Sequence, residues 1–196
     1  MMTYYCLGLL ALLAICSLPM ADSAAAGDDK PVVVLDTSMG AITLELDPAK
    51  APITVENFLK YVDDGYYDGL IFHRVIPEFM VQGGGMTSNM REKGGTRAGI
   101  KNESTNGLSN VRGTISMART GNPDSATAQF FINVANNGPR GLDSKGGEAG
   151  YAVFGKVISG MDVVDKIVNV ATDKSDPPGG VPREPILIKS AKRKKG

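Results

Sequence analysis

The sequence predicts a mainly β domain, a closed antiparallel sheet capped by two α-helices. Short runs rich in β-branched and aromatic residues recur along the chain, separated by turns that carry glycine or proline. Only two segments place apolar residues at helical spacing, and no internal repeat divides the chain. Many short strands with few helices bury their apolar faces, and lose their exposed edges, by closing into a barrel.

Each element follows in order. Val32–Thr37 and Ala41–Leu46 flank Ser38-Met39-Gly40 and read as a hairpin. Pro52 then opens a helix, at a position where its missing N–H costs nothing. Val55, Phe58, Leu59 and Val62 form its apolar face, and Gly65 stops it. Tyr66–Gly69 turns the chain into a strand bearing Arg74. Pro77 helps to turn it back into a strand in which Phe79 and Val81 share one face, Met80 and Gln82 the other. Gly83-Gly84-Gly85 reads as the end of that strand. A phosphate cradle would need a Lys-Ser/Thr and a helix start after the glycines, and neither follows. Met86 to Leu108 has little periodicity and reads as a long irregular excursion, the kind of loop that is usually functional or mobile. Strands resume at Thr114–Ala118 and Gln129–Val134. A glycine-rich loop, Ala135 to Gly150, leads to a strand at Tyr151–Ile158. Asp162 caps a short helix with the stripe Val163, Val164, Ile167 and Val168. Asp176–Gly180 links it to a last strand, Pro185–Ser190.

Composition narrows the function. The 196 residues support one domain, and with a formal net charge of zero there is no electrostatic case for nucleic acid as the main partner. The basic run at Lys192–Lys195 reads as a solvated tail over residues 192–196. The first 29 residues hold no Lys or Arg, Tyr4 to Met20 is almost wholly apolar, and small residues follow up to Ala26. Residues 1–26 therefore read as a cleaved secretory signal peptide, although the positive n-region is missing. The alternatives are an uncleaved membrane anchor and lipidation at Cys16, which the preceding Ile15 fits poorly. Cleavage excludes stable membrane insertion, points to a periplasmic or secreted protein and leaves a domain over residues 27–191. Both cysteines, Cys6 and Cys16, fall within the leader, so that domain has no disulfide and no thiolate metal site.

Chemistry concentrates in Phe72-His73-Arg74-Val75-Ile76-Pro77-Glu78-Phe79-Met80-Val81-Gln82-Gly83-Gly84-Gly85. One guanidinium and one amide stand there among apolar side chains, which suits a surface that holds an apolar ring and donates a hydrogen bond to it. Two further blocks follow in order, Gly113–Arg119 with Ser125–Asn133, then Tyr151–Val157 running into Gly160-Met161-Asp162. Together they resemble the cyclophilin family of peptidyl-prolyl cis–trans isomerases. Ile100-Lys101-Asn102-Glu103 and Met117-Ala118-Arg119-Thr120 are most similar to its secreted bacterial branch. Taken singly, Phe79, Met80 and Phe131 read as ordinary core, Arg74 as a surface charge and His73 as structural. Their joint spacing reverses the reading for all but His73.

The resemblance implies an eight-stranded barrel plugged by two helices, with substrate bound in a groove outside it. It implies proline-containing polypeptides as partners, a monomer, no cofactor and no metal. It assigns Arg74, Gln82 and Phe79 to catalysis, with Arg74 donating to the prolyl nitrogen and Gln82 orienting the guanidinium. Phe79, Met80, Phe131 and Leu142 would form the ring pocket, and Ala118, Arg119, Gln129 and Tyr151 would line the groove. The chain departs from the family at the pocket rim: Gly141 stands where eukaryotic members have Trp, and Tyr151 where many have His. Weak binding of cyclosporin-type macrocycles follows. Other classes remain: a non-catalytic peptide-binding or chaperone module using the same groove, and a serine hydrolase built on Ser116 or Ser125 with His73, which lacks a nucleophile elbow.

Overall fold

Val32–Thr37 (β1) and Gly40–Leu46 (β2) form the expected hairpin, paired from Val32 with Glu45 to Thr37 with Gly40. The computed structural model describes residues 1–2, 30–173 and 179–194, so residues 3–26 of the leader and 176–178 of the link lie outside the described residues. Helix α1 (Pro52–Asp63) follows, then Leu70–Ile76 (β3), Met80–Thr87 (β4), Thr114–Met117 (β5), Phe130–Asn133 (β6) and Val153–Ser159 (β7). Helix α2 (Met161–Val168) leads to a two-stranded ribbon, Thr172–Asp173 (β8) with Val181–Pro182 (β9), which the sequence did not suggest. The chain ends on Ile188–Arg193 (β10).

Eight strands form one antiparallel sheet in the order β10-β1-β2-β7-β5-β6-β4-β3. Its two edges meet where Gly69 N–H donates to Ile188 O (2.8 Å) and Phe72 N–H to Ile186 O (3.0 Å), with Ile71 bridged to Leu187. The result is a nearly closed barrel, and closure removes the exposed edges that would invite strand addition. Leu35, Ile42, Leu44, Val81, Ile115, Ile132 and Ile188 are fully buried on the inward rungs. Phe58 of α1 meets Phe130 edge-on at 5.7 Å and Phe154 at 5.1 Å, so the interior is packed with rings and leaves no lumen for a ligand.

Both helices are capped in ways their own sequence does not announce. Ala51 offers α1 no side-chain cap. Instead Glu103, from the long loop, accepts from Ile53 N (3.1 Å), Thr54 N (2.8 Å) and Thr54 Oγ1 (2.7 Å). A carboxylate there satisfies orphan donors and faces the positive end of the helix dipole. Asp162 does not cap α2. It lies in the first turn, and Gly160, at φ 90°, takes the cap position. A Cβ on Gly160 would stand 2.3 Å from Ala41 O, so the close approach to β2 requires glycine there.

Other expectations shift. The three glycines after Gln82 do not end the strand, because β4 continues to Thr87. They let neighbours approach: Phe72 lies over Gly83, Phe130 and Tyr67 over Gly84, and the Gln129 side chain over Gly85. The loop from Ser88 to Arg112 is irregular yet pinned, by Tyr66 Oη donating to Lys93 O (2.8 Å), Arg97 N to Tyr61 Oη (2.7 Å) and Asn106 Nδ2 to Val153 O (2.9 Å). Lys192 and Arg193, read as tail, belong to β10, which pairs with β1 as far as Val33 with Arg193. Arg193 also clasps Asp63 of α1 through Nε (2.7 Å) and Nη2 (2.5 Å).

Candidate active site

The register of four strands builds the site. Arg74 on β3 pairs with Gln82 on β4, Gln82 with Phe131 on β6, and Phe131 with Ser116 on β5. These residues form one rung across the outside of the barrel. The next rung, Val75, Val81, Ile132 and Ile115, is fully buried in the core. Alternation along a pleat thus puts this row outside and the hydrocarbon inside.

Arg74 needs a further device, because Phe72 two residues earlier faces inward against Gly83. In β3 the register jumps from Phe72 opposite Gly83 to Arg74 opposite Gln82. His73 is the extra residue of a β-bulge. It reverses the parity of the strand, so Phe72 points in and Arg74 points out. Burial, and secondarily the adjacent Arg74 charge, lower the His73 pKa to about 4, partly offset by a hydrogen bond to the Ile71 backbone. Sequence reasoning gave His73 at most a supporting place, and a register shift leaves no local signal that could have revealed its part in turning Arg74 outward.

The rung opens on a hollow of about 130 Å³ lined by Arg74, Phe79, Met80, Gln82, Ala118, Arg119, Phe131, Leu142 and Tyr151. All the residues expected there are brought together except Gln129, which stands just beside it and accepts from Gln82 Nε2 at 2.9 Å. Phe79 arrives by an unexpected route. It does not share a strand face with Val81. It ends the turn Ile76–Phe79, in which Phe79 N–H donates to Ile76 O (3.2 Å) and Glu78 adopts φ 59°. Leaving the strand frees it from alternation and lets it join Met80 in the hollow.

Arg74 makes no ion pair with any described residue, and its Nε is buried without an acceptor. Gln82 does not hydrogen-bond to it, its amide being directed to Gln129. Arg119 is the opposite case. Its guanidinium lies 4.6 Å from the Tyr151 ring centre and donates to Gly150 O (3.1 Å), Ala149 O (2.6 Å) and Thr120 O (2.9 Å). Tyr151 in turn stands edge-on to Phe131 at 5.6 Å. One arginine is therefore committed to the wall, while the other lines the hollow and its buried Nε has no acceptor. Ser116 Oγ donates to Asn110 Oδ1 (2.7 Å) and Ser125 Oγ to Asn122 O (2.6 Å), so neither serine is activated by His73. Larger hollows beside Lys156 (about 300 Å³) and Lys145 (about 430 Å³) contain no aromatic side chain to grip a ring.

An apolar ring pocket beside an unpaired guanidinium on the outside of a packed barrel agrees with the sequence motifs. The family described as "Cyclophilin type peptidyl-prolyl cis-trans isomerase/CLD" matches residues 32–193. The chain belongs to this family. The "Peptidyl-prolyl cis-trans isomerase A" of Dickeya dadantii is 54% identical over 184 residues, covering 94% of this chain and 95% of that one. The "Peptidyl-prolyl cis-trans isomerase" of Acinetobacter baylyi is 56% identical over 163 residues, covering 83% and 85%. A crystal structure of a Cryptosporidium parvum cyclophilin-type isomerase superimposes with a TM-score of 0.70 at 27% identity, covering 86% of this chain and 99% of that one. This cyclophilin is accordingly a peptidyl-prolyl cis–trans isomerase acting on proline-containing peptides.

Proposed function

We propose that Arg74 drives isomerisation by donating a hydrogen bond to the prolyl nitrogen as it becomes pyramidal. The Xaa–Pro amide resists rotation by roughly 18–20 kcal/mol because nitrogen shares its lone pair with the carbonyl. A donor aimed at that nitrogen stabilises the twisted state over both planar ones. The observation that carries this reading is the buried Arg74 Nε without an acceptor, on the edge of the Phe79–Met80–Phe131–Leu142 hollow. Those four residues hold the ring, while Gln82 with Gln129 contacts the peptide backbone and Ala118 lines the groove. Arg119 and Tyr151 bind substrate as a braced wall. Neither a metal nor a cofactor is needed, since no bond is made or broken.

The same reading takes the protein as a monomer that assists the folding of exported proteins in the periplasm or outside the cell, with residues 1–26 as the leader. Among the described residues no helix is long and apolar enough to cross a membrane. NMR exchange spectroscopy on an Ala-Pro peptide tests the mechanism. Arg74→Ala should slow exchange about 100-fold, the share one charge-assisted hydrogen bond can supply, while still binding the peptide. Equally fast exchange in both proteins would overturn the role of Arg74, and no acceleration by either would make the groove a peptide-binding module.

A further inference from the structure

Below the proline pocket lies a cluster of buried polar side chains, Asn110, Ser116, Asn133 and Asn137, each at most 1% exposed. Burying amides is costly unless their hydrogen bonds are met, and here the bonds converge on the main chain of the pocket itself. Asn110 Nδ2 donates to Leu142 O (3.2 Å), Tyr151 O (3.1 Å) and Asp143 Oδ1 (2.9 Å). Its Oδ1 accepts from Ser116 Oγ (2.7 Å) and Asn133 Nδ2 (3.2 Å). Its backbone oxygen accepts from Asn137 N (2.8 Å) and Gly138 N (3.1 Å). Asn137 Nδ2 then donates to Phe79 O (2.6 Å) and Asn133 Oδ1 (2.8 Å).

Asp143 orients the hub. Its Oδ1 accepts from the Asn110 backbone N–H (2.8 Å), and its Oδ2 from Ser109 Oγ (2.5 Å). Burial opposes ionisation of this carboxyl, but the bonds from Ser109 and Asn110 outweigh it and hold the pKa below the ordinary value. Gly138 permits the arrangement, because a Cβ there would stand 2.2 Å from Asp143 Oδ2.

We propose that the Asn110 side chain, oriented by Asp143, is a positioning group that sets the proline pocket by holding the main chain of Leu142 and Tyr151 directly and that of Phe79 through Asn133 and Asn137. The walls come from two segments, the turn at Phe79 and the loop that carries Leu142 and Tyr151. Main-chain bonds already link them in part, Tyr151 N–H donating to Leu142 O (2.8 Å) and Leu142 N–H to Asn137 O (3.3 Å), and the Asn110 side chain adds a bond to both Leu142 O and Tyr151 O. Because the ring is gripped in the planar and the twisted states alike, loss of the hub weakens binding far more than it slows rotation in the bound complex. The inference rests on the pocket proposed above.

The test measures peptide affinity and on-enzyme exchange by NMR for Asn110→Ala and for Asn106→Ala. The Asn106 amide donates to Val153 O and to no pocket residue, so it controls for general loosening. Asn110→Ala should weaken the Kd for an Ala-Pro peptide about tenfold and leave the bound exchange rate within about threefold, while Asn106→Ala keeps the wild-type Kd. An unchanged Kd in Asn110→Ala, or equal losses in both variants, overturns the proposal. Should Asn110→Ala fail to fold, Asp143→Asn decides: a Kd about threefold weaker supports the hub, and a wild-type Kd refutes it. Failure of the pocket reading itself would show differently, as wild-type protein whose Phe131 and Leu142 signals ignore the peptide.

Discussion

Arg74 and Arg119 carry the same charge and differ only in what surrounds them. Arg119 spends its donors on three carbonyls and the face of Tyr151, whereas the buried Nε of Arg74 has no acceptor. Arg74→Lys should therefore recover little of the exchange lost in Arg74→Ala, because an ammonium has no planar fork of donors to aim at a turning nitrogen. Recovery of more than about a third of the wild-type exchange rate would mean that charge alone suffices. Beside it, His73 is a buried neutral imidazole whose pKa falls to about 4, against 6.5 in an unfolded chain. Below pH 6.5 the unfolded state takes up a proton that the folded state refuses. Stability is thus whole above pH 6.5, declines as pH falls towards 4 and then levels off, with a total loss of about 3 kcal/mol. Urea titrations at pH 7 and pH 4.5 should show this loss in the wild type and much less of it in His73→Asn. Parallel losses in both proteins would place the effect elsewhere.

At the level of elements, the sequence conveys what recurs within a strand or a helix turn. The stripe Val55, Phe58, Leu59, Val62 marks α1, and the alternation in Val32–Leu46 marks the first hairpin. What caps α1 was not legible, because Glu103 lies about fifty residues away and its carboxylate reaches Thr54 only in the folded chain. Glu103→Ala should cost about 1–2 kcal/mol, the usual worth of a lost N-cap, measurable as a shift in the urea midpoint with m unchanged. Glu103→Gln should recover part of it, since an amide oxygen still accepts from one donor but lacks the charge that meets the dipole. A midpoint unmoved by Glu103→Ala would show that the tie is ornamental. The turn at Pro77 was expected, but not that it runs through Phe79; the bulge at His73 was hidden, because a register shift is a property of two strands.

For the whole molecule, a barrel filled by Phe58, Phe72, Phe130 and Phe154 has no interior to offer, so any ligand must lie on its surface. The hollow there, about 130 Å³, suits a single small ring. Its rim carries Gly141 at φ 103° and no indole, for the chain has no Trp. We therefore expect cyclosporin-type macrocycles to bind weakly. Calorimetry should give a Kd well above nanomolar, and a nanomolar value would mean that Leu142 and Tyr151 replace the missing ring face.

The sequence by itself determined the class of fold, most of the element order and most of the residues that line the hollow, because local periodicity and motif spacing survive without a partner strand. It did not determine how those residues come to face one another. Only the tertiary structure decided that Arg74 turns outward past an inward Phe72, that Gln82 reaches Gln129 and not Arg74, and that one buried asparagine bonds the main chain of both Leu142 and Tyr151. The reason is physical: facing within a strand is set by neighbours in the chain, whereas register, bulges and buried hydrogen-bond hubs are set by partners distant in sequence, whose geometry exists only once the barrel has closed.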